Sequence, residues 1–128
     1  AVNVFLRKMS KIKMYKSIKV LILIFLSFKV IAEEFVYGLG DVPIFKDMRS
    51  IEDSYIIFDK VDGRYLYSEI KGEYEIPEIQ EFYKKVLPNL GWKFYDKNAF
   101  VRADEILEIK YLNDNRETKV GFTISPKK

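Results

Sequence analysis

Hydrophobic residues step through Glu75–Trp92 (EIPEIQEFYKKVLPNLGW) by threes and fours. Ile76, Ile79, Phe82, Tyr83, Val86, Leu87 and Leu90 therefore fall on one stripe of a helix, opposite a charged face. Pro77 suits a first helical turn, Glu78 and Glu81 lie toward the positive end of the dipole, and Lys84 and Lys85 toward the negative end. The spacing predicts a helix over 77–87, stopped by Pro88, with Gly91 in a left-handed turn before Trp92.

Elsewhere the period is two. Ser54–Asp59 and Arg64–Glu73 read as the arms of a hairpin closed near Asp62-Gly63. Pairing across its turn sets Tyr55 and Ile57 beside Leu66, Ser68 and Ile70, and leaves Ile56, Phe58, Tyr65 and Tyr67 on the opposite face. A hairpin apolar on both sides needs two covers, one of them the helix. After the helix, Trp92–Lys97, Ala99–Ala103, Ile106–Leu112 and Thr118–Ile124 read as strands, with a polar turn over Asn113–Arg116. Centring that turn on Asp114-Asn115 puts Leu107 opposite Phe122 and Ile109 opposite Val120, with Glu108, Lys110, Lys119 and Thr123 on a solvated face. The order β-β-α-β-β-β-β predicts an α+β domain over 54–126, an antiparallel sheet of five or six strands with one helix on one face. Residues 33–53 show no sustained period and read as an irregular arm that packs Phe35, Tyr37, Val42, Ile44 or Phe45 onto it.

Residues 1–32 differ in kind. A basic run precedes the apolar VLILIFLSF of Val20–Phe28, and Val30-x-Ala32 carries small residues suited to cleavage after Ala32. This is the order of a secretory leader and implies a periplasmic destination. Lys29 interrupts the apolar run short of the ~20 residues a bilayer span needs, so an uncleaved anchor is the weaker reading. Seven of the 22 basic residues lie in this segment with no acid. The remainder, with fifteen bases against nineteen acids, has a net charge of −4, which speaks against a nucleic-acid partner.

The chain contains neither Cys nor His. Disulfides, thiolate metal sites, cysteine nucleophiles and Ser/His/Asp triads are thereby excluded, and no cofactor or metal is expected. Catalysis would have to rest on carboxylates such as Asp59 with Asp62, or Asp104 with Glu105, but neighbours on a tight turn seldom face each other across a cleft. Gly38-x-Gly40 lacks the remaining parts of a phosphate loop. Asn113-Asp114-Asn115 with Glu117 lacks a calcium loop's spacing. Trp92 reads as an anchor between helix and sheet rather than a ligand platform.

Three segments together, Asp41-Val42-Pro43, Phe58-Asp59 with Gly63-Arg64, and Phe82-Tyr83 through Leu87-Pro88 to Leu90-Gly91-Trp92, are similar to a group of small exported alphaproteobacterial proteins of unknown function. The likeness covers most of 41–125, with the closing Ile124-Ser125-Pro126, and departs at Ile44–Met48, where that group has more glycine and proline. It implies export and a one-helix α+β fold, and supplies no activity.

The second apolar face of the hairpin, Ile56, Phe58, Tyr65 and Tyr67, is the candidate binding site. The ordinary account folds the N-terminal arm over it, because large open apolar patches are uncommon on monomers. The other leaves it open as a docking surface for an envelope protein or a second copy, and exposure of Phe58 and Tyr67 above about a third would favour that account. A non-enzymatic binding domain is the leading expectation; a carboxylate-dependent envelope hydrolase, or an accessory protein tethered by its leader, are the alternatives.

Overall fold

The computed structural model describes residues 34–128; the expected leader lies outside the described residues. Glu34–Lys128 forms one unit around one continuous core. Its elements are β1 (Arg49–Lys60), β2 (Gly63–Gly72), α1 (Ile76–Val86) running into a 3-10 turn (Leu87–Leu90), β3 (Lys93–Asp96), β4 (Ala99–Arg102), β5 (Glu105–Asp114) and β6 (Glu117–Pro126). All six strands form one antiparallel sheet in the order β1-β2-β6-β5-β4-β3. This is the expected α+β arrangement, with its last strand in the interior of the sheet.

The helix buries the stripe that its spacing predicts: Ile79, Tyr83 and Leu87 are inaccessible, and Phe82 and Leu90 pack beside them. Its end is a Schellman motif. Trp92 N–H reaches the Leu87 carbonyl at 3.1 Å and Gly91 N–H the Pro88 carbonyl at 3.2 Å, with Gly91 at φ 90°. Trp92 is thereby delivered, fully buried, to the seam between helix and sheet.

The register of the last hairpin differs from expectation. Leu107 lies opposite Ile124 and Ile109 opposite Phe122, two residues away from the predicted pairing. Asn115 takes a positive φ of 59°, which asparagine tolerates, so the turn is Asn115-Arg116 and Asp114 stays in the strand, paired with Glu117. A slip of two keeps every side chain on its face, so Leu107, Ile109, Val120, Phe122 and Ile124 all still reach the core.

The arm is more ordered than its sequence suggests. Val36 N–H bonds the Val42 carbonyl and Ile44 N–H the Glu34 carbonyl, both at 2.8 Å, closing a small loop bridged at Phe35–Pro43. Val36, Leu39, Val42, Phe45 and Met48 are buried; Phe35 and Tyr37, expected inside, are 45% and 47% exposed. The strand β1 begins at Arg49, earlier than the predicted Ser54, and is interrupted between Ile51 and Ile56, where the pairing shifts. Ser54 holds this irregularity: its hydroxyl donates to the Ile51 carbonyl at 2.5 Å and accepts from Glu69 N–H at 2.9 Å.

The core carries an alkaline sensitivity. Burial drives the Tyr83 hydroxyl well above its ordinary value of 10.0, and burial does the same to Tyr111. The unfolded chain would release these protons near pH 10 while the native chain keeps them, so stability falls as pH rises above that value. Denaturant titrations should show up to ~1.4 kcal/mol lost per pH unit above 10 for each of the two, with only the Tyr111 share left in Tyr83→Phe. With no histidine in the chain, no comparable change is expected between about pH 6 and 8.

Candidate functional site

The hairpin β1–β2 closes through Val61-Asp62, with Lys60 opposite Gly63. Phe58 then faces Tyr65, Ile56 faces Tyr67 and Ile57 faces Leu66. Alternation therefore places Ile56, Phe58, Tyr65 and Tyr67 together on the outer face, as predicted, while Leu66, Ser68 and Ile70 turn inward.

The arm does not cover that outer face. Its buried residues join the same cluster as Ile79, Tyr83 and Leu87 of the helical segment, so helix and arm share the inner side of the sheet. Three contacts fasten the arm there. Tyr83 donates its hydroxyl to the Pro43 carbonyl at 2.8 Å, Arg102 reaches Asp41 at 2.5 Å, and Tyr37 meets Tyr55 edge-on at 5.5 Å. The account in which the arm folds over Ile56, Phe58, Tyr65 and Tyr67 is therefore overturned. The helix is short for a six-stranded sheet, and the apolar residues of the arm complete the same cover.

The same contacts bring two separate sequence segments into one structural knot. Arg102 donates to Asp41 and to the Leu90 carbonyl at 3.0 Å, and its guanidinium lies 4.2 Å from the centre of the Trp92 ring. Asp41-Val42-Pro43 and Leu90-Gly91-Trp92 meet at this one side chain. Their role in this structure is to hold arm, helix end and sheet together.

On the outer face, Phe58 and Tyr65 stack in parallel, with ring centres 5.1 Å apart and planes 3° from parallel. Lys60 sits above them, its ammonium 4.8 Å from the Tyr65 ring and 5.5 Å from that of Phe58. The Tyr65 hydroxyl donates to Asp62 at 2.8 Å; this bond holds the Asp62 carboxyl below the ordinary range and raises the tyrosine. Tyr67 lies across Gly121, where a β-carbon would sit 2.8 Å from its hydroxyl, and it donates to Glu69 at 3.0 Å. Partial burial, then this bond, raises its pKa. Glycine in the neighbouring strand thus lets an aromatic ring lie flat on the sheet.

Exposure divides the four residues. Ile56 and Phe58 are 54% and 46% exposed, whereas Tyr65 and Tyr67 are half-buried by their neighbours, so of the two residues expected to be open on a docking surface Phe58 is exposed and Tyr67 is not. Toward the far side of the sheet the surface turns charged at Glu108 and Lys110. The patch is therefore a corner of the sheet, not its whole face. Sequence parity missed Ile57, which points inward yet is 52% exposed, because β1 is an outermost strand and the core does not extend beneath its end. The only hint was the apolarity of Tyr55–Phe58 on both faces.

A second concavity of about 510 Å³ lies between α1 and the β3–β4 hairpin, with an aromatic floor that includes Phe94 and Phe100, and Glu81 and Asp96 in its walls. Both acids have local partners. Glu81 is 3.9 Å from Lys85, and Asp96 accepts from Lys97 N–H at 2.7 Å. Of the carboxylates singled out by sequence, Asp62 holds Tyr65 and Glu105 lies 3.5 Å from Arg64, while Asp59 is exposed in β1 opposite Arg64 and Asp104 is exposed at a turn. Among the described residues, no three acidic side chains gather as a metal site would require. Nor is any helix among them long and apolar enough to cross a membrane. Comparison with protein-family models, curated proteins and solved structures returned no match.

Proposed function

We propose that this chain is an exported, envelope-associated binding domain that acts without catalysis, docking a protein partner through the outer corner made by Ile56, Phe58, Tyr65 and Tyr67. The observation that carries this reading is the position of the arm: it covers the inner side and leaves a stacked aromatic pair, capped by a lysine, facing outward. Aromatic side chains set in a rigid sheet are enriched at interface centres, and Lys60 at the turn would lie on the rim. Export is supported by the charged and apolar order of residues 7–32 and by the mild acidity of the rest.

A photo-crosslinking side chain at position 58, in protein expressed in its native cells, should yield a discrete adduct, and one at Lys110 on the charged part of the same face should not. Phe58→Lys should weaken recovery of that partner on the order of thirtyfold or more, as loss of a central aromatic does. Its unfolding midpoint should stay close to wild type, since the side chain is nearly half exposed. Turnover of an envelope substrate by the purified protein, abolished by one carboxylate-to-amide change, would overturn the reading.

A further inference from the structure

No residue of the arm lines the concavity between α1 and the β3–β4 hairpin, so the inner side of the sheet stays open at that end. Its floor is aromatic because three strands bring a ring to the same side. Phe94 is paired with Phe100, Phe100 with the buried Leu107, and Tyr111 follows Leu107 at an even step along β5. Phe94 meets Phe100 edge-on at 6.0 Å and is itself 58% exposed, which leaves one ring as an open platform.

Two features set this space apart from a chance hollow. The pairing of β3 with β4 skips Tyr95 between Phe94 and Asp96, a bulge of the kind that re-aims side chains, and both Phe94 and Asp96 line the concavity. The walls are also tied to each other. Gln80 of α1 donates its amide to the Asn98 side chain at 3.3 Å, and the Asn98 carbonyl accepts from Ile109 N–H at 2.9 Å. The turn is thereby pinned to helix and sheet alike, and no ordering is left for a ligand to impose.

The polar groups that remain are both donors and acceptors. Among the described residues the Tyr111 hydroxyl has no hydrogen-bond partner, Gln80 keeps its amide oxygen, Asn98 its amide N–H groups, and Asp96 one carboxylate oxygen. Charge is balanced, with Glu81 and Asp96 against Lys84 and Lys97. An ionic ligand therefore finds no net attraction here, and a wholly apolar one would strip water from these groups without replacing their hydrogen bonds. A pyranose ring matches both features, since its C–H face suits a single aromatic platform and its rim of hydroxyls both donates and accepts.

We propose that this concavity binds a neutral sugar, one ring face on Phe94 and its hydroxyls among Tyr111, Gln80, Asn98 and Asp96. The volume of about 510 Å³ lies within the range of small-ligand sites. The site is on the inner side of the sheet, at the β3 edge, whereas the outer corner lies at the β1 edge, so the inference does not rest on the docking reading.

Isotope-labelled protein, as isolated, can be titrated with glucose, galactose, mannose and N-acetylglucosamine, free and as trisaccharides. At least one of them should move the side-chain amide resonances of Gln80 and Asn98, with a Kd on the order of 1 mM. Phe94→Ala should weaken that binding about tenfold or more and leave the unfolding midpoint near wild type, because the ring is more than half exposed. Tyr111→Phe, which removes only the hydroxyl, should weaken it about fivefold. Tyr95→Ala, one residue along and outside the lining, should leave it unchanged. Amide resonances unmoved by every sugar at tens of millimolar would overturn the proposal. So would binding that survives Phe94→Ala, or indole or glucuronate bound more tightly than any of the neutral sugars.

Discussion

Trp92→Ala is expected to destabilise the domain by about 3–5 kcal/mol, the range for truncating a fully buried large aromatic. The ring has no accessible surface and closes the seam where the helix end, the arm and β4 meet. Truncation would remove the platform beneath Arg102 as well, loosening the guanidinium that ties Asp41 and the Leu90 carbonyl together. Among the described residues the indole N–H meets no hydrogen-bond acceptor, so the expected loss is that of the packing and of the cation contact. Urea unfolding followed by far-ultraviolet circular dichroism measures it, since the variant lacks the chain's single tryptophan. A loss below about 1 kcal/mol would show that this seam is not part of the core.

Gly38→Ala should cost about 1.5–3.5 kcal/mol and free the arm, the sum of a backbone and a contact effect. The residue has φ +81°, a region in which an L side chain is strained by roughly 1–2 kcal/mol. A β-carbon there would also collide with the Tyr55 ring, so the ring must swing away and surrender its edge contact with Tyr37, about 0.5–1.5 kcal/mol more. Gly40→Ala is the matched control: its φ is +66°, but nothing lies within 4 Å of the added carbon, so only the backbone strain should appear. Thermal unfolding together with limited proteolysis near residue 38 separates the two variants. Equal losses in both would mean that Tyr55 does not hold the arm.

What could be read from the sequence was governed by period. The helical stripe, the Gly91 turn and the inward set of β5 and β6 depend on which face a residue takes, and spacing states that directly. Pairing along the strand is less constrained: a shift of two residues leaves the burial pattern intact, so only the left-handed backbone of Asn115 decided it. The position of the arm was not legible either. Val36, Leu39, Val42, Phe45 and Met48 recur every third residue, a spacing that belongs neither to the 3.6-residue turn of an α-helix nor to the alternation of a strand, and so names no regular element. For the site, parity grouped Ile56, Phe58, Tyr65 and Tyr67 correctly, but which strand would lie outermost depends on where β6 inserts, a long-range fact with no local signature.

That insertion sets the order of events in folding. β6, which joins β2 to β5, follows the other five strands in sequence, so the first hairpin has no neighbour on its inner flank until Glu117–Pro126 has been made. The sheet therefore closes through contacts distant in sequence, late and in one cooperative step.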